Sequence, residues 1–284
     1  MKAMKTVLVT GSNGYIGRHV VRALKRRGAR VVCVDRTIDP SCGGDACYSA
    51  DLLDGDIALV DLIGEVPDAC IHLAWRNGFD HNDPSHLLDL SAHFSFLSGL
   101  ASAGVRQIAA MGSMHEIGYW EGAIDEETPC NPLSLYGVSK NALREALLLT
   151  FANSPIVFQW IRAFYLFGDD ANAQSVFGKI SRAAAEGRRS FPFTSGRNQY
   201  DFLEVDELAE QIAAVLMQDE VDGVINCCSG VPISLGEKVE GYIADNGFDI
   251  TLDYGAFPDR PYDSPALWGD PAKIRAILAA EDGE

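Results

Sequence analysis

Tyr136 and Lys140 are the residues of this sequence whose types and spacing most directly indicate acid–base chemistry. Tyr136 opens the stretch Tyr-Gly-Val-Ser-Lys, and the residues after Lys140 have the apolar spacing of a helix. Because residues four apart share one face of a helix, the phenol and the ammonium should lie side by side. The positive charge would lower the pKa of the phenol, so that the pair could exchange a proton with a carbonyl or alcohol oxygen near neutral pH. Positioned groups of this kind contribute about 10²–10⁴-fold in rate.

A glycine-rich stretch at residues 10–17, Thr-Gly-Ser-Asn-Gly-Tyr-Ile-Gly, indicates a phosphate-binding turn between a strand and a helix. Glycine at positions 11, 14 and 17 lets the backbone turn sharply and approach a phosphate, while the N–H groups and dipole of the helix favour an anion. A second apolar run, residues 30–34, ends in Asp35, about where a dinucleotide fold places an acid on the adenosine ribose. The alternative interpretation is a tight turn followed by a surface aspartate.

The elements around these residues predict a parallel sheet covered on both faces. Strand and helix signals alternate up to about residue 110, and Ser113 ends the strand predicted at 106–113, at the edge where open α/β sheets collect ligands. His72 ends an earlier buried strand, and we interpret it as structural rather than as a ligand. Apolar spacing over residues 85–103 predicts a helix that faces the core or a second subunit. After about residue 169 the alternation weakens.

Asp51 and Leu52 follow a turn-rich loop and have two interpretations. In a dinucleotide fold the acid would bond the adenine and the leucine would cover it. Alternatively, Asp51 would cap the helical stretch that it precedes.

The bulk composition excludes several classes of partner. The net charge of −17 over 284 residues, without a basic run, argues against nucleic acid and anionic membranes as partners. The hydrophobic content of 47% is ample for a full core. Seven cysteines lack zinc-like spacing, which indicates free thiols in a reducing compartment. Residues 1–5 lead directly into the first strand and leave no room for a signal peptide, and no apolar run has the length of a membrane span, so a cytoplasmic protein is expected.

Over nearly its whole length the chain resembles the extended short-chain dehydrogenases/reductases of the nucleotide-sugar epimerase/dehydratase type. The three loop glycines match the family's cofactor loop, Asp35 its ribose acid, and Tyr136 with Lys140 its catalytic pair. The resemblance implies an α/β fold, with a Rossmann-type doubly wound parallel sheet at residues 1–168 and a smaller C-terminal α/β substrate lobe at 169–284. Some chain is expected to cross between the two.

The resemblance also implies which residues contact the ligands. The expected NAD contacts are Gly11, Asn13, Gly14, Tyr15, Ile16, Gly17, Asp35, Arg36, Asp51, Leu52, Leu73, Ala74, Tyr136 and Lys140. The expected sugar-nucleotide contacts are His115, Tyr165, Arg197 and Arg260, the arginines because a guanidinium fork matches phosphate oxygens. A solvated loop charge is the alternative for Arg197. No metal is expected.

One stretch departs from the family pattern. The family usually carries a Ser-Ser or Ser-Thr pair after the strand, whereas Ser113-Met114-His115-Glu116 stands here. Alignment by the following turn could put Met114 at the hydroxyl position, but methionine cannot donate a hydrogen bond, so we assign the catalytic hydroxyl to Ser113. His115 is either a substrate contact or a surface residue. Dehydratases of the family carry Asp-Glu in place of His115-Glu116, so dehydration is disfavoured.

These observations predict an enzyme that exchanges hydride between NAD(H) and carbon 4 of a nucleotide-linked sugar. Net reduction of a 4-keto-6-deoxysugar is favoured, with 4-epimerisation as the alternative and a non-catalytic dinucleotide-binding regulator as a third possibility. Asp35 favours NAD because its carboxylate would repel a 2′-phosphate, while Arg36 keeps NADP open. The family resemblance and the apolar helices near residues 87–100 and 140–151 indicate a homodimer.

Overall fold

A computed structural model describes residues 4–39, 41–54, 59–168, 175–259 and 263–283. Its elements alternate as the sequence predicts for the first half of the chain. In chain order they are β1 (Thr6–Thr10), α1 (Gly17–Arg26), β2 (Arg30–Asp35), β3 (Ala46–Ser49), α2 (Leu59–Ile63), β4 (Ala69–His72), α3 (Ser85–Leu88), α4 (Leu90–Ser102), β5 (Gln107–Ser113), a 3₁₀ turn (Met114–Glu116), β6 (Gly122–Ile124), α5 (Leu135–Phe151), β7 (Val157–Ala163), β8 (Tyr165–Phe167), α6 (Val176–Ala185), β9 (Ser190–Pro192), β10 (Gln199–Glu204), α7 (Val205–Met217), β11 (Gly223–Cys227), β12 (Pro232–Ser234), α8 (Leu235–Asp245), β13 (Thr251–Asp253), β14 (Ala266–Gly269) and α9 (Ala272–Asp282).

The main sheet has seven parallel strands in the order β3-β2-β1-β4-β5-β7-β11. Its central strands are apolar at nearly every position because helices cover both faces, and Val7, Leu8 and Val9 of β1 are all fully buried. α1, α7 and α9 pack together on one face, and α4 and α5 pack on the other. The strand order reverses beside β1, where a doubly wound sheet forms its ligand crevice. The predicted Rossmann-type fold is therefore confirmed.

A second sheet forms the rest of the molecule. Its strands run in the order β12-β10-β14-β6, with β8 pairing alongside β10, and β9 pairs separately with β13. Two hydrophobic cores lie on the two faces of the main sheet, and a third core lies at this second sheet. The third core includes Met114, Phe177 and Phe202. The chain crosses between the sheets in both directions, because β6 joins the second sheet and β11 joins the main one. A linear division at residue 168 remains a prediction about folding units.

The helix predicted over residues 85–103 is divided. α3 ends at Leu88, and α4 begins at Leu90. Leu87 and Leu88 lie outside the core, with Leu88 77% exposed. Leu97 and Leu100 are buried against the sheet, so only the second segment contributes the predicted core face.

Bilayer-crossing helices are not found in the described part of the chain, since none of its helices has the necessary length and apolar character.

Candidate active site

Tyr136 and Lys140 lie in the first two turns of α5, on the helix face that meets the carboxyl end of β5. Ser134 caps this helix, and its hydroxyl accepts a hydrogen bond of 3.1 Å from Gly137 N. Gly137 allows the close approach to the turn after β5, because a Cβ there would lie 2.3 Å from the His115 carbonyl oxygen. The helix is therefore held against the strand that carries Ser113.

The Lys140 ammonium is fully enclosed. It donates a hydrogen bond of 2.6 Å to the Met111 carbonyl oxygen and lies 3.6 Å above the centre of the Trp75 ring. Burial lowers the pKa of Lys140 to about 7, while the Glu116 charge acts in the opposite direction.

The pKa of the Tyr136 phenol is raised, whereas the sequence predicts that it is lowered. Burial raises its pKa above the usual range, and the Ser113 hydrogen bond acts against that increase. The prediction that Lys140 lowers the pKa of Tyr136 is therefore wrong for the protein without bound cofactor or substrate. The ammonium lies 5.7 Å from the centre of the phenol ring and directs its hydrogen bond to the Met111 backbone.

Ser113 and Glu116 form a capping box at the end of β5. Ser113 Oγ accepts from His115 N at 3.3 Å, and Glu116 Oε1 accepts from Ser113 N at 2.6 Å. This geometry agrees with Ser113 as the hydroxyl residue, whose catalytic role stays a prediction. Ser113 faces Tyr136, whereas Met114 is buried in the third core.

Glu116 is completely buried and is bound from several directions. Its carboxylate accepts two hydrogen bonds of 3.0 Å from Trp160 Nε1 and lies 3.5 Å from Arg162 Nη2 and 3.7 Å from Arg144 Nε. Glu116 therefore supports the turn after β5 from inside the protein.

Histidines surround the Tyr136 ring. His81 stacks on it at 5.2 Å, and His86 and His115 approach it edge-on at 5.3 and 6.0 Å. His115 is therefore not a surface residue, and burial lowers its pKa to about 4. Sequence reasoning missed both His81, which lies in a polar segment without periodicity, and His86, which lies in the short helix α3.

Two more histidines extend this group below the ring. His72 Nε2 and His93 Nδ1 lie 2.9 Å apart, and the other ring nitrogen of His72 lies 2.9 Å from Thr10 Oγ1. Trp75 stacks on His93 at 4.2 Å. We call His72, His81, His86, His93 and His115 the histidine cluster. The structural interpretation of His72 agrees with these contacts.

A cavity of about 300 Å³ lies beside the crevice, at the carboxyl ends of β1, β2 and β4. Nine predicted NAD contacts line it, and their residue types suit a nucleotide. They are Gly11, Asn13, Gly14, Asp35, Arg36, Asp51, Leu52, Leu73 and Ala74. Trp75 and Arg76 also line it and were not predicted.

The glycine-rich turn has the close packing that its sequence predicts. Gly11 has φ +67°, and a Cβ there would lie 2.7 Å from Ala74 N. A Cβ on Gly17 would lie 2.1 Å from the Gly11 carbonyl oxygen. Only glycine fits at both positions, so the turn packs tightly against itself and against the end of β4, with Gly11 and Gly14 lining the cavity.

Asp35 closes the turn from the neighbouring strand. Its carboxylate accepts from Asn13 N at 3.0 Å and from Arg36 N at 2.8 Å. Asp51 is held by Arg76, whose Nη2 donates to both carboxylate oxygens at 3.1 and 3.0 Å. Asp51 also accepts from Leu53 N at 3.2 Å, so it both caps a turn and lines the cavity.

The remaining predicted contacts lie farther from the cavity. The Tyr15 hydroxyl donates to the Gly168 carbonyl, while Ile16 precedes α1 and packs on the main core. Tyr165 stacks on Tyr200 at 4.1 Å. Arg197 has an 84% exposed side chain that lies 3.7 Å from Asp259, which agrees with the solvated alternative. Arg260 lies outside the described residues.

Comparison with known proteins gives the same family from sequence and structure. The model of the NAD dependent epimerase/dehydratase family matches residues 7–228. The chain is 41% identical, over 93% of its length and 98% of the relative, to dTDP-6-deoxy-L-talose 4-dehydrogenase (NAD(+)) of Aggregatibacter actinomycetemcomitans.

Two solved structures share the fold. MoeE5 in complex with UDP-glucose and NAD is 25% identical with a TM-score of 0.80, covering 96% of this chain and 92% of that one. UDP-glucose-4-epimerase from Stenotrophomonas maltophila, with bound NAD and formylated UDP-arabinopyranose, is 20% identical with a TM-score of 0.84, covering 97% and 92%. From its sequence match and its fold, the chain belongs to the NAD dependent epimerase/dehydratase family.

Proposed function

We propose that the protein is an NAD-dependent oxidoreductase that reduces the 4-keto group of a nucleotide-linked 6-deoxysugar, as a step of deoxysugar biosynthesis. The observation that carries this proposal is the placement of Tyr136, Ser113 and Lys140 together at the sheet edge that also forms the glycine-lined cavity. The 41% identical relative is named for oxidation of the same type of substrate at the same carbon, which is the reverse direction.

The residues present fit a nicotinamide dinucleotide. The space that a Cβ would fill at Gly11 and Gly17 is taken by backbone, so glycine permits the tight turn that leads into the N-terminus of α1, where a pyrophosphate would bind. Asp35 lies at the end of β2, where its carboxylate would receive ribose hydroxyls and repel a 2′-phosphate. We therefore propose NAD(H) rather than NADP(H). When bound, it would supply the hydride for the carbonyl carbon.

The protonated phenol suits the reducing direction. Because burial raises the pKa of Tyr136, the hydroxyl keeps its proton at neutral pH and can donate it to the oxygen that becomes an alcohol. Ser113 would hold the same oxygen in line, since its hydroxyl already reaches Tyr136. Lys140 places a positive charge beneath the site, which would stabilise the phenolate left after proton transfer.

A net 4-epimerase is the second candidate, favoured by the similar fold of a UDP-glucose-4-epimerase. The two reactions differ in hydride balance. Reduction should oxidise added NADH in proportion to the sugar converted, which a falling nicotinamide absorbance would show. Turnover of a dTDP-linked sugar without any change in that absorbance would support epimerisation instead.

Tyr136→Phe tests the enzyme hypothesis against a non-catalytic dinucleotide-binding regulator. We expect the rate with NADH and dTDP-4-keto-6-deoxyhexose to fall by at least about 10²-fold, while NADH binding is retained. Tyr119→Phe, which changes a 45% exposed tyrosine, is the matched control and should leave the rate unchanged. An undiminished rate in the Tyr136 variant would refute the assigned acid.

We further propose a cytoplasmic homodimer. α4 and α5 pack side by side on one face of the sheet, and Leu88 of α3 and Leu149 of α5 are 77% and 78% exposed. Light scattering of the purified protein should give twice the chain mass, and Leu149→Lys should shift that mass toward the monomer. A monomeric wild type would contradict this proposal.

A further inference from the structure

Three cysteine thiols converge at the edge of the main sheet, away from the catalytic pair. Cys33 lies on β2, Cys47 on β3, and Cys42 in the loop between these strands. Their sulfur atoms all lie within 4.8 Å of one another, and the Sγ atoms of Cys42 and Cys47 are 2.8 Å apart. The proposed reduction gives these thiols no role.

The fold itself brings the thiols together. β2 and β3 pair in parallel with Cys33 directly opposite Cys47, so their side chains leave the sheet on the same face. The loop then returns Cys42 to that face, helped by Gly43 with φ +79°. Gly44 is required for the packing, because a Cβ there would lie 2.5 Å from Cys33 Sγ.

We propose that Cys33, Cys42 and Cys47 form a binding site for a thiophilic d¹⁰ metal ion, of which Zn²⁺ is the representative. Thiolate sulfur is the ligand that such ions prefer, and three of these ligands meet here. With zinc–sulfur bonds of about 2.3 Å, tetrahedral ligands lie roughly 3.8 Å apart. The observed limits of 2.8 and 4.8 Å bracket that separation.

The exposure of Cys47 gives a metal ion a path into the site and leaves its fourth coordination position open to solvent. Cys33 and Cys42 are buried, whereas Cys47 is exposed to solvent. An ion held by the three sulfurs would therefore keep one side open to water, and each thiol would release its proton as its sulfur–metal bond forms.

The site would tie together structure that borders the proposed nucleotide cavity. Cys33 stands two residues before Asp35, and its thiol interacts with the Ser12 hydroxyl of the glycine-rich turn. A metal bridge from β2 to the loop and β3 would thus restrain the end of β2 that carries Asp35.

Zinc binding to the reduced, chelator-treated full chain tests the proposal. Competition with a chromophoric chelator should show one tightly bound Zn²⁺ per chain, and Cd²⁺ should produce a thiolate-to-cadmium absorption band. Cys42→Ser and Cys47→Ser should each weaken zinc binding by at least roughly 100-fold, the upper end of what loss of an outer partner alone costs. The second of these changes affects an exposed side chain, so folding should be retained.

Cys70→Ser is the matched control, since Cys70 is a buried cysteine of β4 that does not belong to the group of three. This variant should bind zinc like the wild type, and zinc should raise the Tm of both but not that of Cys47→Ser. Equal zinc affinity in the Cys42 and Cys47 variants would overturn the proposal. The proposal would also be overturned if the reduced wild type bound no zinc and, on exposure to air, its Cys42 and Cys47 thiols were oxidised by O₂ to a disulfide, each losing one hydrogen. Neither readout depends on the proposed enzymatic activity.

Discussion

Mild acid should destabilise this protein well above the pH at which carboxylates titrate, because its buried histidines are held neutral. Burial lowers the pKa of His72 to about 3 and that of His115 to about 4, and burial also lowers the pKa of His93. In the unfolded chain each imidazole has a pKa of about 6.5. Below that pH the unfolded state binds more protons than the folded state, so stability falls as the pH falls.

The magnitude follows from the size of that difference. Each imidazole that is protonated only in the unfolded chain lowers the free energy of unfolding by about 1.4 kcal/mol for every pH unit below 6.5, and therefore by about 2 kcal/mol at pH 5.0. His72, His93 and His115 together would remove about 6 kcal/mol, which is comparable to the whole stability of many domains. Carboxylates contribute little in this window because their unfolded pKa values lie near 4.

Urea unfolding at pH 7.5, 6.5, 5.5 and 5.0 measures the effect. His72→Gln should reduce the slope of unfolding free energy against pH by about a quarter to a third between pH 6 and 5, because it removes one of four histidines whose pKa burial lowers, His81 being the fourth. Thr10→Val removes the hydroxyl partner of His72 without removing a titrating group, so its curve should shift down and keep the wild-type slope. A wild-type free energy that stays constant from pH 6.5 to 5.0 would refute the reasoning.

Three other substitutions probe the site. Glu116→Ala should cost about 3–5 kcal/mol in urea unfolding because it leaves buried guanidinium and indole groups unpaired, whereas the exposed Glu121→Ala should change stability by less than about 0.5 kcal/mol. Gly17→Ala should weaken NADH binding, followed by fluorescence, at least about 10-fold, and Gly99→Ala, which has open space around it, should not. Trp75→Leu removes the aromatic ring beneath the Lys140 ammonium and should lower the pKa of Lys140 further, by about 1. The pH profile of the reduction rate would report this shift. An unchanged profile would contradict the role of the ring.

The sequence was sufficient to predict those parts of the fold and of the candidate site that depend on contacts between residues close in the chain. The glycine-rich turn, the strand that ends in Asp35 and the helix that carries Tyr136 and Lys140 each depend on residues within about twenty positions, and their patterns predicted the elements. The seven-stranded parallel sheet followed from repetition of the same unit. The pairing of the phenol with the ammonium also followed from helical periodicity, although the effect on the pKa of Tyr136 did not.

Other features depend on contacts between distant segments and could not be predicted. Trp75 follows β4, His81 lies in a polar loop and His86 lies in the short helix α3, and only the folded chain brings them around Tyr136. Hydrogen-bonding chemistry alone favoured Ser113 over Met114, whereas the capping box at the end of β5 and the burial of Met114 in the core could not be predicted from spacing. The thiol group at Cys33, Cys42 and Cys47 arises from strand register, so a search for metal-binding spacing along the chain does not detect it.

Glu116 links these observations to the choice of reaction. The family resemblance implies an Asp-Glu pair after the hydroxyl residue of a dehydratase, where this chain has His115-Glu116. Here the carboxylate has no exposed surface, accepts from Ser113 N and Trp160 Nε1, and faces the Arg162 guanidinium. Because its acceptor positions are occupied by groups of the protein, it cannot take a proton from a substrate without breaking the turn that orients Ser113. Elimination of water would thus lack this carboxylate as its base, whereas the proposed proton transfer at a single oxygen would need only the Tyr136 phenol and the hydroxyl of Ser113, whose turn Glu116 orients.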